Sequence, residues 1–116
     1  MKPLQTIVVE RRGRIARVTL NRPDEANGIN AQLAGELAAA AAEFAADDAL
    51  RAVVLTGSGR FFCGGGDVKA MAGFGERTTA EVKRLADALH RAISTFTRMR
   101  APVLVAVNGM AAGAGF

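Results

Sequence analysis

The chain contains no tryptophan and no tyrosine, and it has one cysteine and one histidine among its 116 residues. A single cysteine excludes an internal disulfide bond and fits a reducing compartment. No cluster of His and Cys has the spacing of metal ligands, so we expect no metal site. Nucleic-acid binders usually present aromatic side chains on which bases stack, so this composition argues against that class of partner. The net charge of +4, carried by scattered arginines, suits a small polyphosphate-bearing ligand better.

Long apolar runs are also missing from the sequence. The longest are of strand length and are interrupted by Gly or Asn, which is too short for a membrane span. We expect no secretory leader, because polar residues stand near the start of the chain where a leader would have its apolar segment. Half of the residues are nevertheless apolar, which is enough to bury one hydrophobic core. We therefore expect one cytoplasmic domain that makes no contact with a membrane.

The first half of the sequence predicts a hairpin and a helix. The β-branched runs at residues 6–10 and 15–20 flank the Arg-Arg-Gly-Arg cluster at residues 11–14. This pattern predicts an antiparallel hairpin with the charged cluster at its turn. Asn30 is a favourable N-cap for a helix over residues 31–46. The apolar stripe of that helix is formed, at helical spacing, by Leu33, Leu37, Ala41 and Phe44.

The second half predicts two apolar strands joined by helices. The strands cover residues 51–56 and 103–107, and a short helix covers residues 67–71. Residues 78–81 have the pattern of a capping box, which predicts a helix over residues 78–99. A long helical crossover implies that the two strands pair in parallel with a right-handed connection. The apolar face of the long helix is predicted to contain Val82, Leu85, Leu89, Ile93 and Phe96.

Two glycine-rich turns, at residues 62–67 and 109–115, each follow an apolar strand. Where a strand ends and a helix begins, main-chain N–H groups have no partner within the helix. Glycine and alanine allow a ligand to approach that main chain closely. Two such corners side by side would form an oxyanion hole, in which two N–H groups stabilise negative charge on a carbonyl oxygen.

Two other interpretations of the glycine turns stay open at this point. Both turns could be tight corners without a ligand, since glycine is common in turns. A phosphate-binding loop is disfavoured because its Gly-Lys-Ser/Thr ending is missing, and residues 57–62 contain only two of the three glycines of a dinucleotide fingerprint. One such turn would be compatible with a purely structural role. Two such turns, each following an apolar strand, favour a binding site.

Three side chains near these motifs could have catalytic roles, and the sequence favours a structural role for each. Cys63 lies within the first turn with no His or Asn partner that the sequence can place beside it, so we expect it to pack beneath the turn. His90 borders the apolar stripe, and the sequence places no carboxylate partner beside it, which favours a surface or boundary position. Asp67 is expected to stabilise the start of a helix rather than to act as a base.

In their order and spacing these motifs resemble the crotonase superfamily, the enoyl-CoA hydratases and isomerases. Residues 62–69 resemble its Phe-x-Ala-Gly-x-Asp segment, and residues 102–115 resemble its strand that begins with Pro and ends in a small-residue turn. Residues 20–27 contain the Leu-Asn-Arg-Pro segment and the later Asn of the family. Residues 51–57 match the strand before its first turn. The resemblance extends over nearly the whole chain.

The resemblance implies an α/β crotonase-like fold, the ClpP/crotonase spiral of β-β-α units, apparently truncated. Residues 1–116 would then be the N-terminal part of a single domain whose remainder, with its catalytic carboxylates, is absent from this chain. Transferred to this sequence, the two oxyanion-hole donors are the main-chain amides of Gly66 and Ala114. Contacts with the CoA substrate are implied for Glu25, Ala26, Asn27, Gly64, Gly66, Asp67 and Val68.

The function implied by the resemblance is that of an acyl-CoA-binding enzyme that stabilises a thioester enolate. Hydration of a 2-enoyl-CoA and double-bond isomerisation both fit this implication. The coenzyme A thioester would be the substrate, no further cofactor is implied, and a homotrimer or hexamer is expected. Two alternatives remain: a non-catalytic member of the fold that acts in subunit assembly, and a nucleotide-binding α/β module.

Overall fold

The computed structural model describes residues 4–73 and 75–116, apart from the side chains of residues 70 and 71. Within these residues four strands form one sheet in the order β1-β2-β3-β5, and β4 pairs with β6 in a second sheet. The strands are β1 (Ile7–Arg12), β2 (Ile15–Leu20), β3 (Ala52–Gly57), β4 (Phe61–Cys63), β5 (Val103–Ala106) and β6 (Met110–Ala111). The helices are α1 (Ala31–Ala45), α2 (Val68–Ala72) and α3 (Thr78–Arg98), with 3-10 turns at Pro23–Glu25, Gly75–Arg77 and Gly113–Gly115.

Strands β1 and β2 form the predicted hairpin. They pair antiparallel with Arg12 opposite Ile15, so that only Gly13 and Arg14 lie between the paired residues. Gly13 has a φ of 58°, the left-handed conformation that two-residue hairpin turns favour. The arginine cluster is therefore confirmed as part of a charged hairpin turn.

Strands β2, β3 and β5 run parallel, which brings three connecting segments to one edge of the sheet. Val18 lies opposite Leu55, and Leu55 lies opposite Val105. The predicted parallel pairing of the two apolar strands is confirmed. Because the carboxyl ends of parallel strands meet at the same edge, the segments after these three strands lie side by side. All the site residues expected from the sequence belong to these segments.

Helix α1 begins and packs as the sequence predicts. The Asn30 Oδ1 accepts a hydrogen bond from the Leu33 N–H at 2.8 Å, which makes Asn30 the N-cap. The whole predicted stripe is buried in the core between α1 and the sheet. Burial of this apolar face, rather than helix propensity alone, accounts for the stability of a helix of this length.

Helix α3 packs against α1, and its buried face agrees with the predicted one at Leu85 and Phe96 but not at Ile93. Ile93 is 50% exposed, whereas Ala88 and Ala92 are buried between Leu85 and Phe96. The distance between packed helices depends on the side chains at their contact, and small alanines allow a close approach. A stripe drawn from large side chains alone therefore included Ile93 and left out the two buried alanines. No helix in the described part of the chain is both long and apolar enough to cross a membrane.

The predicted capping box at residues 78–81 is wrong. Thr78 is already the first residue of α3, its N-cap is Arg77 without a side-chain cap bond, and the Thr78 hydroxyl donates to the Gly75 carbonyl. The 3-10 turn at Gly75–Arg77 runs directly into α3. The chain is therefore already helical before Thr78. An N-cap residue has an extended backbone, so Thr78 is not the N-cap of α3.

Glu36 on α1 ties the helix to the segment that enters β1. Its Oε1 accepts hydrogen bonds from the Gln5 N–H at 3.0 Å, the Thr6 N–H at 2.9 Å and the Thr6 hydroxyl at 2.8 Å. Partial burial by itself raises the pKa of this carboxyl, but the hydrogen bonds from Thr6, Gln32 and Gln5 together hold the pKa below its ordinary value of 4.5.

We expect two glycine-to-alanine changes to shift stability in opposite directions. Gly35 lies inside α1 with open space around it, so Gly35→Ala should raise the free energy of unfolding by about 0.5–1 kcal/mol. Gly13 also has open space but a left-handed backbone, so Gly13→Ala should lower it by about 1–2 kcal/mol. Urea denaturation of both variants measures the difference, and equal shifts would contradict this assignment of the backbone.

The hydrogen bonds of Glu36 also predict a pH dependence. A lowered folded-state pKa means that ionised Glu36 stabilises the fold above the ordinary pKa, and that this stabilisation is lost as the pH falls through the folded value. We therefore expect Glu36→Gln to show a shallower loss of unfolding free energy below about pH 4.5. Urea titrations at several pH values measure this slope, and a slope equal to that of the unchanged protein would contradict the role of the Glu36 carboxylate.

Candidate active site

Strands β4 and β6 hold the two glycine turns side by side. Phe61 pairs with Met110 and Cys63 with Ala111, and the Ala112 N–H donates to the Cys63 carbonyl at 3.1 Å. Neither strand is predicted from the sequence, because two or three residues are too few to show the alternation of a strand.

Main chain packs directly against main chain between the two turns. A Cβ atom on Gly65 would lie 2.9 Å from the Ala112 carbonyl oxygen and 3.3 Å from the Ala114 nitrogen. Gly65 also has a φ of 97°, which L side chains rarely adopt. On the other side, a Cβ atom on Gly115 would overlap the carbonyl oxygen of Cys63. The close contact of the turns therefore requires glycine at both positions.

The hydrogen bonds of a short β-bridge orient the N–H of Gly66. The Ile29 N–H donates to the Gly65 carbonyl at 2.7 Å, and the Asp67 N–H donates to the Ile29 carbonyl at 2.9 Å. The Gly65 carbonyl and the Gly66 N–H belong to one planar trans peptide, so they point in opposite directions. The N–H of Gly66 is therefore directed away from Ile29.

Ala114 carries the second N–H of interest. It is the middle residue of the 3-10 turn at Gly113–Gly115, and the two amides that follow it are bonded back to residues 112 and 113. Within residues 4–73 and 75–116, neither Gly66 nor Ala114 donates its N–H to a hydrogen bond. The Gly66 nitrogen is two bonds from the Cα of Gly65, which lies against Ala114. The two unengaged donors thus belong to one small region.

Asn27 holds together the segments that follow β2 and β3. Its Oδ1 accepts a hydrogen bond from the Arg22 N–H at 2.8 Å, and its Nδ2 donates to the carbonyls of Ser58 and Phe61, both at 2.9 Å. Ala26 and Asn27 have φ values of 54° and 53°, a left-handed conformation that is costly for residues other than glycine. These three bonds offset that strain, and they account for the full burial of the Asn27 side chain.

Arg22 and Asp67 form an ion pair behind the first glycine turn. The Arg22 Nη1 lies 2.9 Å from the Asp67 Oδ2, and the two side chains are 17% and 9% exposed. The same nitrogen donates to the Gly28 carbonyl at 2.6 Å. A carboxylate this deeply buried requires a cationic partner, so the structure gives Asp67 an anchoring role at the start of α2, in line with the sequence prediction. The pairing of Asp67 with Arg22 is not predicted from the sequence, because the two residues are far apart in the chain.

A shallow depression of about 350 Å³ lies between residues 23–28 and residues 64–69. Six of the seven residues for which CoA contacts were expected line it: Glu25, Ala26, Gly64, Gly66, Asp67 and Val68. Asn27 is fully buried and does not line it, and Ala114 lies outside its lining. The direct roles of these residues toward a ligand stay predictions, and the full burial of Asn27 favours a supporting role for its side chain.

The other two candidate side chains have the structural positions that the sequence favours. Cys63 is 2% exposed, and its Sγ donates to the Asn27 carbonyl at 3.2 Å. Burial raises the pKa of the Cys63 thiol, and a hydrogen bond from the Gly65 amide only partly offsets this. The thiol therefore packs beneath the turn, as predicted. His90 is exposed on α3, which agrees with the surface position favoured by the sequence.

Comparison with solved structures defines the class of the fold. The chain superposes on an enoyl-CoA hydratase from Bacillus anthracis with a TM-score of 0.86 and 30% identity, covering 96% of this chain and 43% of the other. An enoyl-CoA hydratase/isomerase from Mycobacterium paratuberculosis gives a TM-score of 0.82 and 33% identity, covering 94% and 43%. The predicted α/β crotonase-like fold is confirmed.

Sequence comparison gives the family. The chain belongs to the enoyl-CoA hydratase/isomerase family, whose profile matches residues 10–116. It is 40% identical over 111 residues to a protein of Rhizobium meliloti named "Probable enoyl-CoA hydratase", covering 96% of this chain and 41% of the relative. It is 32% identical over 113 residues to the short-chain-enoyl-CoA hydratase of Clostridium acetobutylicum, covering 97% and 42%. The chain thus spans about two fifths of the length of these relatives. A nucleotide-binding module finds no support in this assignment.

The environment of Cys63 predicts that its thiol reacts slowly with alkylating reagents. Because the thiolate is the reactive form and burial both raises the pKa and blocks access, alkylation by iodoacetamide at pH 8 should be at least about tenfold slower in the native protein than in urea. Mass spectrometry of timed samples measures both rates. A native rate equal to the rate in urea would show that the thiol is not held beneath the turn.

Proposed function

We propose that this chain binds an acyl-CoA thioester and stabilises the enolate formed from it, with the main-chain N–H groups of Gly66 and Ala114 donating to the thioester oxygen. The observation that carries the proposal is the pair of unengaged N–H groups at two turns whose main chains touch. Membership of the enoyl-CoA hydratase/isomerase family supports the substrate class.

The chemistry explains why two fixed donors would matter. Removal of a proton next to a thioester, or addition of water across its conjugated double bond, moves negative charge onto the carbonyl oxygen. Donors that are already in place stabilise that charge without reorganising during the reaction. Helix α2 has five residues and the turn at Gly113–Gly115 has three, so the N–H groups themselves, rather than long helix dipoles, would supply the stabilisation.

The remaining parts of the proposal follow from the depression and the family. We propose that Glu25, Ala26 and residues 64–68 contact the CoA moiety, and that Asn27 contributes by fixing these segments rather than by touching the ligand. Hydration of a 2-enoyl-CoA and double-bond isomerisation are the two reactions proposed, without a cofactor other than the thioester itself. A cytoplasmic homotrimer or hexamer is the proposed state of the protein.

The test is the polarisation of a bound conjugated thioester. Donors on the carbonyl oxygen draw electron density along the conjugated system, which shifts its absorbance to longer wavelength and weakens the C=O stretch. We expect Gly66→Pro and Ala114→Pro, which delete one N–H each, to reduce both signals. Where turnover is measured, loss of one donor should lower kcat by about 10²–10³.

Matched controls separate the N–H from the side chain. Gly66→Ala and Ala114→Gly keep the amides, so they should retain most of the absorbance shift. Titration with CoA and with crotonyl-CoA gives the affinity for each. Absence of binding to both ligands, or an absorbance shift that survives in the proline variants, would refute the proposal.

A further inference from the structure

We infer that Arg22 is a positioning residue for the Gly66 N–H, and that it acts through a chain of two hydrogen-bonded peptide groups. This inference rests on the proposed function, because it concerns the strength and direction of one proposed oxyanion donor. Within the described residues, no hydrogen bond or ion pair joins the Arg22 side chain to the second turn.

The first link of the chain joins Arg22 to the peptide between Gly28 and Ile29. The Arg22 Nη1 donates to the Gly28 carbonyl at 2.6 Å, a short distance typical of a charge-assisted hydrogen bond. The Gly28 carbonyl and the Ile29 N–H belong to the same planar peptide and point in opposite directions. The guanidinium therefore draws electron density from a peptide whose N–H faces the first glycine turn.

The second link joins that peptide to the one between Gly65 and Gly66. The Ile29 N–H donates to the Gly65 carbonyl at 2.7 Å, again a short bond for an N–H donor and a carbonyl. The Gly65 carbonyl shares its peptide with the Gly66 N–H. A positive charge at one end of the chain thus makes the Gly66 N–H, at the other end, a stronger donor, since hydrogen bonds in series polarise one another.

The other proposed donor has no such support. The peptide that carries the Ala114 N–H has the Gly113 carbonyl at its other end, which accepts from the neutral Phe116 N–H at 3.1 Å. This longer bond to an uncharged group contrasts with the bond of 2.7 Å that begins at Ile29. The geometry therefore makes Gly66 the stronger of the two donors.

Asp67 weakens the polarising effect of the Arg22 charge. Its carboxylate lies 2.9 Å from the same Arg22 nitrogen, and both side chains are largely buried. An ion pair there neutralises part of the arginine charge while it holds the residue after Gly66 in place. Arg22 thus has two separable effects: it anchors the turn through Asp67, and it polarises the Gly66 N–H through Gly28.

These two effects give opposite expectations for two variants. If anchoring were the only role, Arg22→Met and Asp67→Asn would behave alike, because each breaks the ion pair. If the peptide chain acts as inferred, Arg22→Met removes the polarising charge, whereas Asp67→Asn leaves that charge on the Gly28 carbonyl with less neutralisation. Because Asp67 is also a proposed CoA contact, the absorbance shift of the conjugated thioester is compared at saturating ligand. We expect this shift to fall in Arg22→Met, by about 10–30% for each bond weakened, and to be kept or increased in Asp67→Asn.

A readout without ligand separates this inference from the proposed function. In ¹⁵N-labelled protein the amide proton of Ile29 should move upfield in Arg22→Met, and it should stay in place or move downfield in Asp67→Asn. Arg22→Lys keeps the positive charge but lacks the planar guanidinium group. If Arg22→Met does not fold, Arg22→Lys takes its place, and we expect it to give an intermediate upfield shift of the Ile29 amide proton. Arg11→Met, which breaks the surface pair with Asp47, is the matched control and should change neither signal.

The outcomes are distinct. A folded Arg22→Met protein with an unchanged Ile29 resonance, or equal losses in Arg22→Met and Asp67→Asn, would overturn the inference. Failure of the unchanged protein to bind the thioester would refute the proposed function instead, while the resonance of Ile29 would still test the peptide chain.

Discussion

Between Cys63 and Gly65 on one side and Ala112 and Gly115 on the other, two stretches of main chain touch with no side chain between them. Every other feature of the candidate site depends on that contact. It requires glycine at two positions, it needs the short pairing of β4 with β6, and it brings two N–H groups into one region. The larger sheet supports this contact, because its parallel strands place both turns at the same edge of the sheet.

The loop after β2 supports the first turn from behind. Its left-handed residues Ala26 and Asn27 are strained positions, and strain of this kind persists only where surrounding contacts over-determine the backbone. The Asn27 side chain supplies those contacts by binding three main-chain groups from two segments. Buried polar groups that are fully bonded specify one arrangement of a core. The precise course of this loop therefore fixes where the first turn lies.

The sequence predicts the parts of the fold that local patterns determine. The hairpin follows from β-branched runs around Gly13, the start of α1 from Asn30, and the parallel pairing from the length of the helical crossover. Leu85 and Phe96 were predicted on the buried face of α3, but Ala88 and Ala92 between them were not, because small side chains give a weak signal. The strands β4 and β6 are too short for any periodic pattern. The ion pair of Arg22 with Asp67 joins residues far apart in sequence, and only the folded chain reveals it.

A site built from peptide groups has an unusual genetic signature. The N–H groups of Gly66 and Ala114 belong to the main chain, so they survive every replacement except proline. A saturation library read by growth or activity would therefore find many tolerated codons at Ala114, and its intolerant positions would mark Gly65, Gly115 and the buried polar residues behind them. In such a map the donor positions would show little sensitivity to substitution, whereas the residues that position them would show much more.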